Sequence, residues 1–479
     1  MRRVRVAVRD PRRYLSRPSR AGIWVLLVGA VGAAVALGSG SGGGNAASVT
    51  ATSARPAGLV PATAPPGALS SSWYCAGATG PGGSAPASMV LGTVGSREVR
   101  GEVTVVSTGG PARTEAVDLA PRSMLTVPES ALASGPYVAA TAVLYGGQVA
   151  AWQILSGPAG PETLACSSSG SKQWYEASGS TAGSDQIELA LYNPFAADAV
   201  ADLSFATTHG EAQPGDFQGI VVPARRLVVV SVGQHVQQQP AVATLVSARF
   251  GQLVVDQLSA SGTGQGATAT VTLGVAGTAR RWYFPAGQST GSAGSYRILN
   301  PSGRVARVKV SMSLASGTVA PFGLTVPGVS TASLATSGRA FPPSGVVYSV
   351  SVNATNGAGV VAERTEAASP GVLTSSLLGA PRTARTWLLT SAPASRLVLQ
   401  NPGAARAVAS VASVSGGRTR LLAGLARVEV PANRATTISL PSASRGVIVV
   451  QATRGLVVEG VTSASGRALP TMAVVGSSS

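Results

Sequence analysis

Acid–base and metal chemistry in this chain would have to come from nineteen carboxylates, two histidines and two cysteines. Three of the acids recur in similar valine-rich settings: Asp256 in GQLVVDQ, Glu363 in GVVAERT and Glu459 in GLVVEGV. A glycosidase needs two carboxyl groups facing one site at about 5 to 9.5 Å. One acid per stretch does not supply that pair, and on a strand the odd separation of Glu363 and Glu366 sends them to opposite faces. These acids therefore read as solvated strand residues or as partners of nearby arginines such as Arg364. A fourth stretch of the same kind, GQVAAWQ, carries Trp152 where the others carry the acid. Trp152 is the candidate for an exposed aromatic that stacks on a sugar ring.

His209 and His235 flank Asp216, but no Gly-x-Ser-x-Gly elbow accompanies them, so they read as surface loop residues. Neither Cys75 nor Cys166 has a His or a second Cys at metal-ligand spacing. In an oxidising compartment the two would instead close a disulfide around one module. A loop of about 90 residues makes such a link worth on the order of 4 kcal/mol. Two unpaired buried thiols are the alternative. No phosphate loop, zinc, EF-hand or dinucleotide pattern stands out, so the expectation is no enzyme, no metal and no cofactor.

The elements that would position these residues repeat. Trp73, Trp174, Trp282 and Trp387 are spaced by about 100 residues, the first three followed by Tyr. In three of the four units an alternating strand then ends in Asn-Pro: Asn193-Pro194, Asn300-Pro301 and Asn401-Pro402. The first unit has VLGTVG instead. Next come an alternating apolar stretch, a strand closed by Pro223, Pro327 or Pro431, and the valine-rich strand with its acid or Trp152. Four signposts in one order define four modules, at 71–168, 169–265, 278–370 and 382–468, with a C-terminal tail at 469–479. The Trp-Tyr pairs serve either as core plugs or as sugar platforms.

Charged residues are only 11% of the chain, and glycine (59) and small or β-branched residues dominate. With two lysines in all, helices patterned with Glu and Lys pairs cannot be common. Short period-2 strands with Gly, Pro and Asn turns every ten residues or so read as an all-β chain of tandem β-sandwich-like modules, separate as beads. A propeller-like closure of the repeats is the alternative architecture.

The net charge of +17 raises the question of nucleic acid. Eight arginines and one Asp in the tail at 1–20 account for +7 of it, and the rest reads as thinly spread, so no nucleic-acid partner is expected. Residues 21–39 begin with an uncharged run that nearly spans a hydrocarbon core. With the arginines before it, this predicts a transmembrane anchor with a cytoplasmic N-terminus and the modules outside. A cleaved signal segment and a secreted product is the alternative. Residues 40–70, rich in Gly, Ser and Pro, read as a linker.

Trp282-Tyr283-Phe284 with Gly287, Ser289 and Thr290, then Leu299-Asn300-Pro301, resembles the WYF…NP repeat of secreted actinobacterial proteins, the domain of unknown function 5719. The resemblance covers roughly residues 70–468. It implies an envelope protein and brings no catalytic residues. The expectation is a non-enzymatic envelope protein whose modules play structural roles or bind cell-wall glycan or another envelope protein. An accessory subunit of an envelope glycan biosynthesis or export complex is the alternative.

Overall fold

A low content of charge leaves few side chains able to solvate a second sheet face, and strands such as Val149–Gly157 and Gln186–Asn193 are accordingly buried on both sides over most of their length. The computed structural model describes residues 58–477, apart from 158–159, 263–267, 288–292, 315–316, 318, 337–345, 347, 370–371, 392–395, 443 and 465–466. The tail at 1–20 and the expected anchor at 21–39 lie outside the described residues. No helix among the described residues is long and apolar enough to cross a membrane.

The first module sets the pattern. Its strands are β1 (Ser71–Thr79), β2 (Ala87–Thr93), β3 (Val99–Ser107), β4 (Arg113–Leu119), β5 (Met124–Val127), β6 (Tyr137–Leu144), β7 (Val149–Gly157) and β8 (Gly160–Ala165), with one helical turn, α1 (Glu129–Leu132). They form two antiparallel sheets, in the orders β1-β6-β3-β4 and β5-β2-β7-β8. The second and third modules repeat both sheets. In the fourth, one long strand, Val447–Ala464, does the work of both β6 and β7: residues 447–452 pair in the first sheet and 457–464 in the second.

Each β5-β2-β7-β8 sheet packs on the β1-β6-β3-β4 sheet of the module before it. Tyr192 of module 2 meets Thr141 of module 1, Glu363 of module 3 meets Ser178 of module 2, and Gln400 of module 4 meets Ser351 of module 3. The series then closes. The last strand of module 4, Arg467–Thr471, lies parallel to β8 with Thr471 opposite Thr163, and a Cβ on Gly92 would meet Val447 Cγ2 at 2.5 Å. One apolar core runs through modules 1 to 3 and takes in Leu388, Val414, Val447 and Val474 of module 4.

Modules strung as independent beads are therefore not what forms, because the outer sheet faces are apolar and must be covered. The ends of the chain join the same body. Val60 is buried, Thr63 N donates to Val475 O and Gln148 N donates to Ala64 O, so the last part of the expected linker is seated on the modules. The expected C-terminal tail supplies the strand to Thr471 and a short pairing of Val474–Val475 with Trp387 and Leu388.

Candidate functional site

The acids singled out by the repeat are all buried, and each reaches out of its own module. On β1 the register with β6 shifts between Cys75 and Ala78, a bulge that frees two backbone donors. Asp256 Oδ2, from the β7-type strand Val254–Ser261, accepts Ala76 N at 2.9 Å and Gly77 N at 2.7 Å. Gly77 permits the approach, since a Cβ there would lie 2.7 Å from Val271 Cγ1. Between modules 3 and 2, Glu363 accepts Ala177 N at 2.5 Å and the hydroxyl of Ser178. Between modules 4 and 3, Pro285 occupies the bulge and has no N–H to give, so Glu459 accepts only Ala286 N, at 3.2 Å. Its second partner is Arg364, whose Nη2 donates at 2.7 Å and whose Nε lies 3.3 Å from Glu366.

The expectation of solvated acids thus fails, because strand bulges and a strand end supply donors that a buried carboxyl can satisfy, while the expected pairing with Arg364 is found at Glu459 and Glu366. Glu363 and Glu366 do face opposite ways, one toward module 2 and the other toward Arg364.

Burial dominates the protonation of Asp256, Glu363 and the carboxyls beside them. It pushes the Asp256 carboxyl up to about 7 against the pull of its two N–H donors. It raises Glu363 as well, and it raises Glu176 well above the usual range, with Glu363 and Asp256 adding like charge beside it. Glu129 on α1, held by Gln153 Nε2 at 2.7 Å, and Glu162 on β8 are both pushed by burial to about 8. Burial works against the Arg364 charge, but Glu459 and Glu366 more than offset it and raise its pKa. Asp256, Glu363 and Glu459 are buried between modules, and what they do chemically is fasten one module to the next.

Trp152 is 0% exposed. It lies in the fourth seam, where its ring and Val447 of module 4 both crowd Gly92. It is therefore no exposed sugar contact: the position that carries the acid elsewhere faces a neighbouring module here too. The repeat-marking Trp73, Trp174, Trp282 and Trp387 are also buried. Three of them donate their indole N–H to the carbonyl that opens the β7-type strand: Leu253, Val360 and Leu456 respectively. They are core plugs.

Asn193, Asn300 and Asn401 are buried brackets. In each, Nδ2 donates to the turn carbonyl four residues on and to the strand that ends in proline, as in Asn193 to Ala197 O and Val222 O. Pro194, Pro301 and Pro402 leave the ladder immediately after them. Cys75 and Cys166 form a disulfide that ties β1 to the residue after β8. His235 lies 3.4 Å from Asp216 and His209 2.9 Å from Gln239 Oε1, all on exposed loops.

An open polar hollow lies at the edge of the first seam. A cavity of about 330 Å³ lined by Thr181, Asp185, Gln186, Glu188 and Gln234 shares Gln186 and Glu188 with another of about 240 Å³ beside Tyr137. Burial raises the Glu188 carboxyl, and burial together with Glu188 raises the Tyr137 hydroxyl. Sequence reasoning missed this hollow because it combines strand residues such as Gln186 and Glu188 with turn residues of two modules that carry no repeat signature. Among the described residues no group of three or more His, Cys, Asp or Glu is placed to hold a metal ion.

Among curated proteins, none matches this chain. Among solved structures, the crystal structure of a tetra-tandem repeat in the extending region of a large adhesion protein aligns with 82% of this chain and 96% of that one. The identity is 12% and the TM-score 0.11, too low for a fold or role to be carried over. The resemblance read from the WYF and Asn-Pro motifs is borne out from the end of module 1 into module 3, where residues 130–338 match a family of unknown function, DUF5719.

Proposed function

We propose that this chain is an exported, non-enzymatic envelope protein, held by residues 21–39 and presenting its ring of β-modules outside the membrane as a scaffold or binding platform. The observation that carries this reading is the use made of reactive side chains. The buried carboxyls, the four repeat tryptophans and both cysteines are spent on joining modules and closing the core. Catalysis would need titratable groups converging on an accessible pocket. A structural disulfide favours an oxidising compartment, which supports export.

The test is residue-by-residue labelling of intact producing cells with a membrane-impermeant maleimide. Thr419→Cys, on an exposed strand of module 4, should label, and Ser16→Cys, in the Arg-rich tail, should label only after lysis. Labelling of Ser16→Cys in intact cells, or failure of Thr419→Cys to label, would overturn the proposed topology.

A further inference from the structure

The charge of the folded part is polarised rather than thinly spread. Residues 71–265 hold eight of the chain's Lys and Arg against fourteen Asp and Glu, whereas residues 266–479 hold nineteen against four. Of those four acids, Glu363, Glu366 and Glu459 are buried in the seams, and the exposed Glu429 is paired with Arg406 and Arg427. Residues 278–370 therefore put no carboxylate on the described surface of module 3.

The cations of that module stand together. Arg281, Asn353 and Lys309 are in register across three neighbouring strands, Arg281–Gly287, Tyr348–Ala354 and Ala306–Leu314. Partners in register share a face, and Arg307, two residues before Lys309, shares it as well. Arg281, Arg307 and Lys309 are all exposed, alternating with the buried Ala306, Val308 and Val310. Strand geometry puts Arg307 and Lys309 about 7 Å apart, and Arg281 and Lys309 roughly 10 Å apart across two strand spacings. Arg280 and Arg304 flank the row on adjoining turns, both exposed. Module 4 covers only the other end of this sheet, through Gln400 on Ser351 and Arg434 on Leu314 O.

The same face is neutralised in the modules before it. In module 1, Arg100 lies 2.6 Å from Glu98 and 3.6 Å from Asp118. In module 2 the Lys309 position is Asp202, which holds Arg249 at 2.5 Å. In module 3, among the described residues, Arg281, Arg307 and Lys309 have no ion-pair partner within 4.0 Å.

We propose that this face of module 3 binds an acidic polysaccharide, an extended glycan carrying carboxylate or phosphate groups along its length. A flat row of spaced cations fits an extended polyanion better than a single small anion. Guanidinium groups match carboxylate and phosphate geometry, and Asn353 between them offers an amide to hydroxyl groups. The biological sense rests on the scaffold reading above. The binding itself does not depend on where the protein sits, so the two stand or fall by separate experiments.

The test measures the full-length chain against immobilised polygalacturonate at low salt, with dextran, phosphatidylglycerol vesicles and single-stranded DNA as separate arms. The tail arginines are common to all variants and cancel in the comparison. Arg281→Gln/Arg307→Gln/Lys309→Gln should weaken polygalacturonate binding by about tenfold or more and lower its log–log salt slope by about 2. Arg100→Gln/Arg249→Gln, which removes cations already paired, should leave it unchanged, and dextran should not bind. Both variants lie on the surface and should keep the wild-type unfolding midpoint. No binding to polygalacturonate, equal binding by the triple variant, or a loss confined to the vesicle or DNA arm would overturn the proposal.

Discussion

Three seams of the ring are fastened by a buried carboxyl and the fourth by an indole, at one and the same strand position. The difference lies in the partner strand rather than in the residue. Where Asp256 and Glu459 arrive, the strand across the seam is bulged, and where Glu363 arrives it has just ended at Glu176, so backbone N–H groups are unclaimed in all three. Where Trp152 arrives, the corresponding strand of module 4 stays in register with its neighbour through Thr390 opposite Val447, and Ser391 N is already bonded to Gly446 O. A carboxyl there would be buried without its donors, which costs far more than burying an aromatic ring. The lesson is that the acid and the unclaimed backbone donors form one unit, whether a bulge or a strand end frees those donors.

The comparison makes the seams held by Asp256 and Glu363 sensitive to pH and the indole seam insensitive. Burial raises the carboxyls of Asp256 and Glu363, together with those of Glu176, Glu129 and Glu162 beside the seams. Between the usual carboxylate range near 4 and the raised values, about 7 for Asp256 and about 8 for Glu129 and Glu162, the folded chain holds protons that the unfolded chain has released. Stability from these groups is thus complete below about pH 4 and is lost as pH rises toward about 8. Asp202, lowered by its hydrogen bond to Arg249, acts in the opposite direction, but it is half-buried beside an exposed arginine and contributes little. Denaturant unfolding should show a loss of roughly 3 kcal/mol or more between about pH 5 and pH 8. Asp256→Asn should flatten part of that slope. A stability that is flat or rises across this window would break the comparison.

Truncating the indole should give the next largest effect. Trp152→Ala opens a cavity between modules 1 and 4 and should cost about 3–5 kcal/mol by equilibrium unfolding, by the same amount at pH 5 and pH 8. Trp152→Asp should be no better than Ala, since no free N–H awaits the carboxyl. Recovery with Asp would show that the acid alone makes the seam. Asp256→Ala strands the N–H groups of Ala76 and Gly77 but relieves a buried carboxyl, so a smaller loss of about 2 kcal/mol is expected. Gly77→Ala, whose Cβ would meet Val271 and Asp256 at 2.7 and 2.8 Å, should cost a similar amount through overpacking alone.

How far the sequence could be read follows from the same distinction. Trp174, Trp282, Trp387 and the three Asn-Pro corners were visible as repeats because their roles are local to one module, met each time by a fixed turn or a carbonyl on the same chain stretch. The all-β character was visible in composition. The burial of Asp256 or Glu363 was not, because it depends on a bulge or a strand end about 180 residues away that leaves no mark on periodicity. Trp152 misled for the same reason: an acid-to-aromatic change at an aligned position suggests exposure only if the aligned acids are exposed. The charge asymmetry between modules was there to be counted, but averaging over the whole chain hid it. The open hollow by Gln186 and Glu188 depends on how two modules meet, which no single module's pattern encodes.

The smallest expected effect probes the seam that mixes both devices. Pro285 removes one of the two donors that a bulge like that of β1 offers, and Arg364 stands in for it with a charge of its own. Pro285→Ala restores the N–H and should gain at most one hydrogen bond to Glu459, about 1 kcal/mol. It also loosens the unfolded chain, a cost of about 0.4–1 kcal/mol. The two nearly cancel, and the unfolding free energy should move by less than about 1 kcal/mol. If Arg364 is the true substitute for the missing donor, Arg364→Met should destabilise the Pro285→Ala protein less than it destabilises the natural one, because the restored N–H then shares the carboxyl. A double-mutant cycle with no coupling between the two positions would mean that Arg364 answers to Glu366 and the Ala286 carbonyl rather than to the gap that proline leaves.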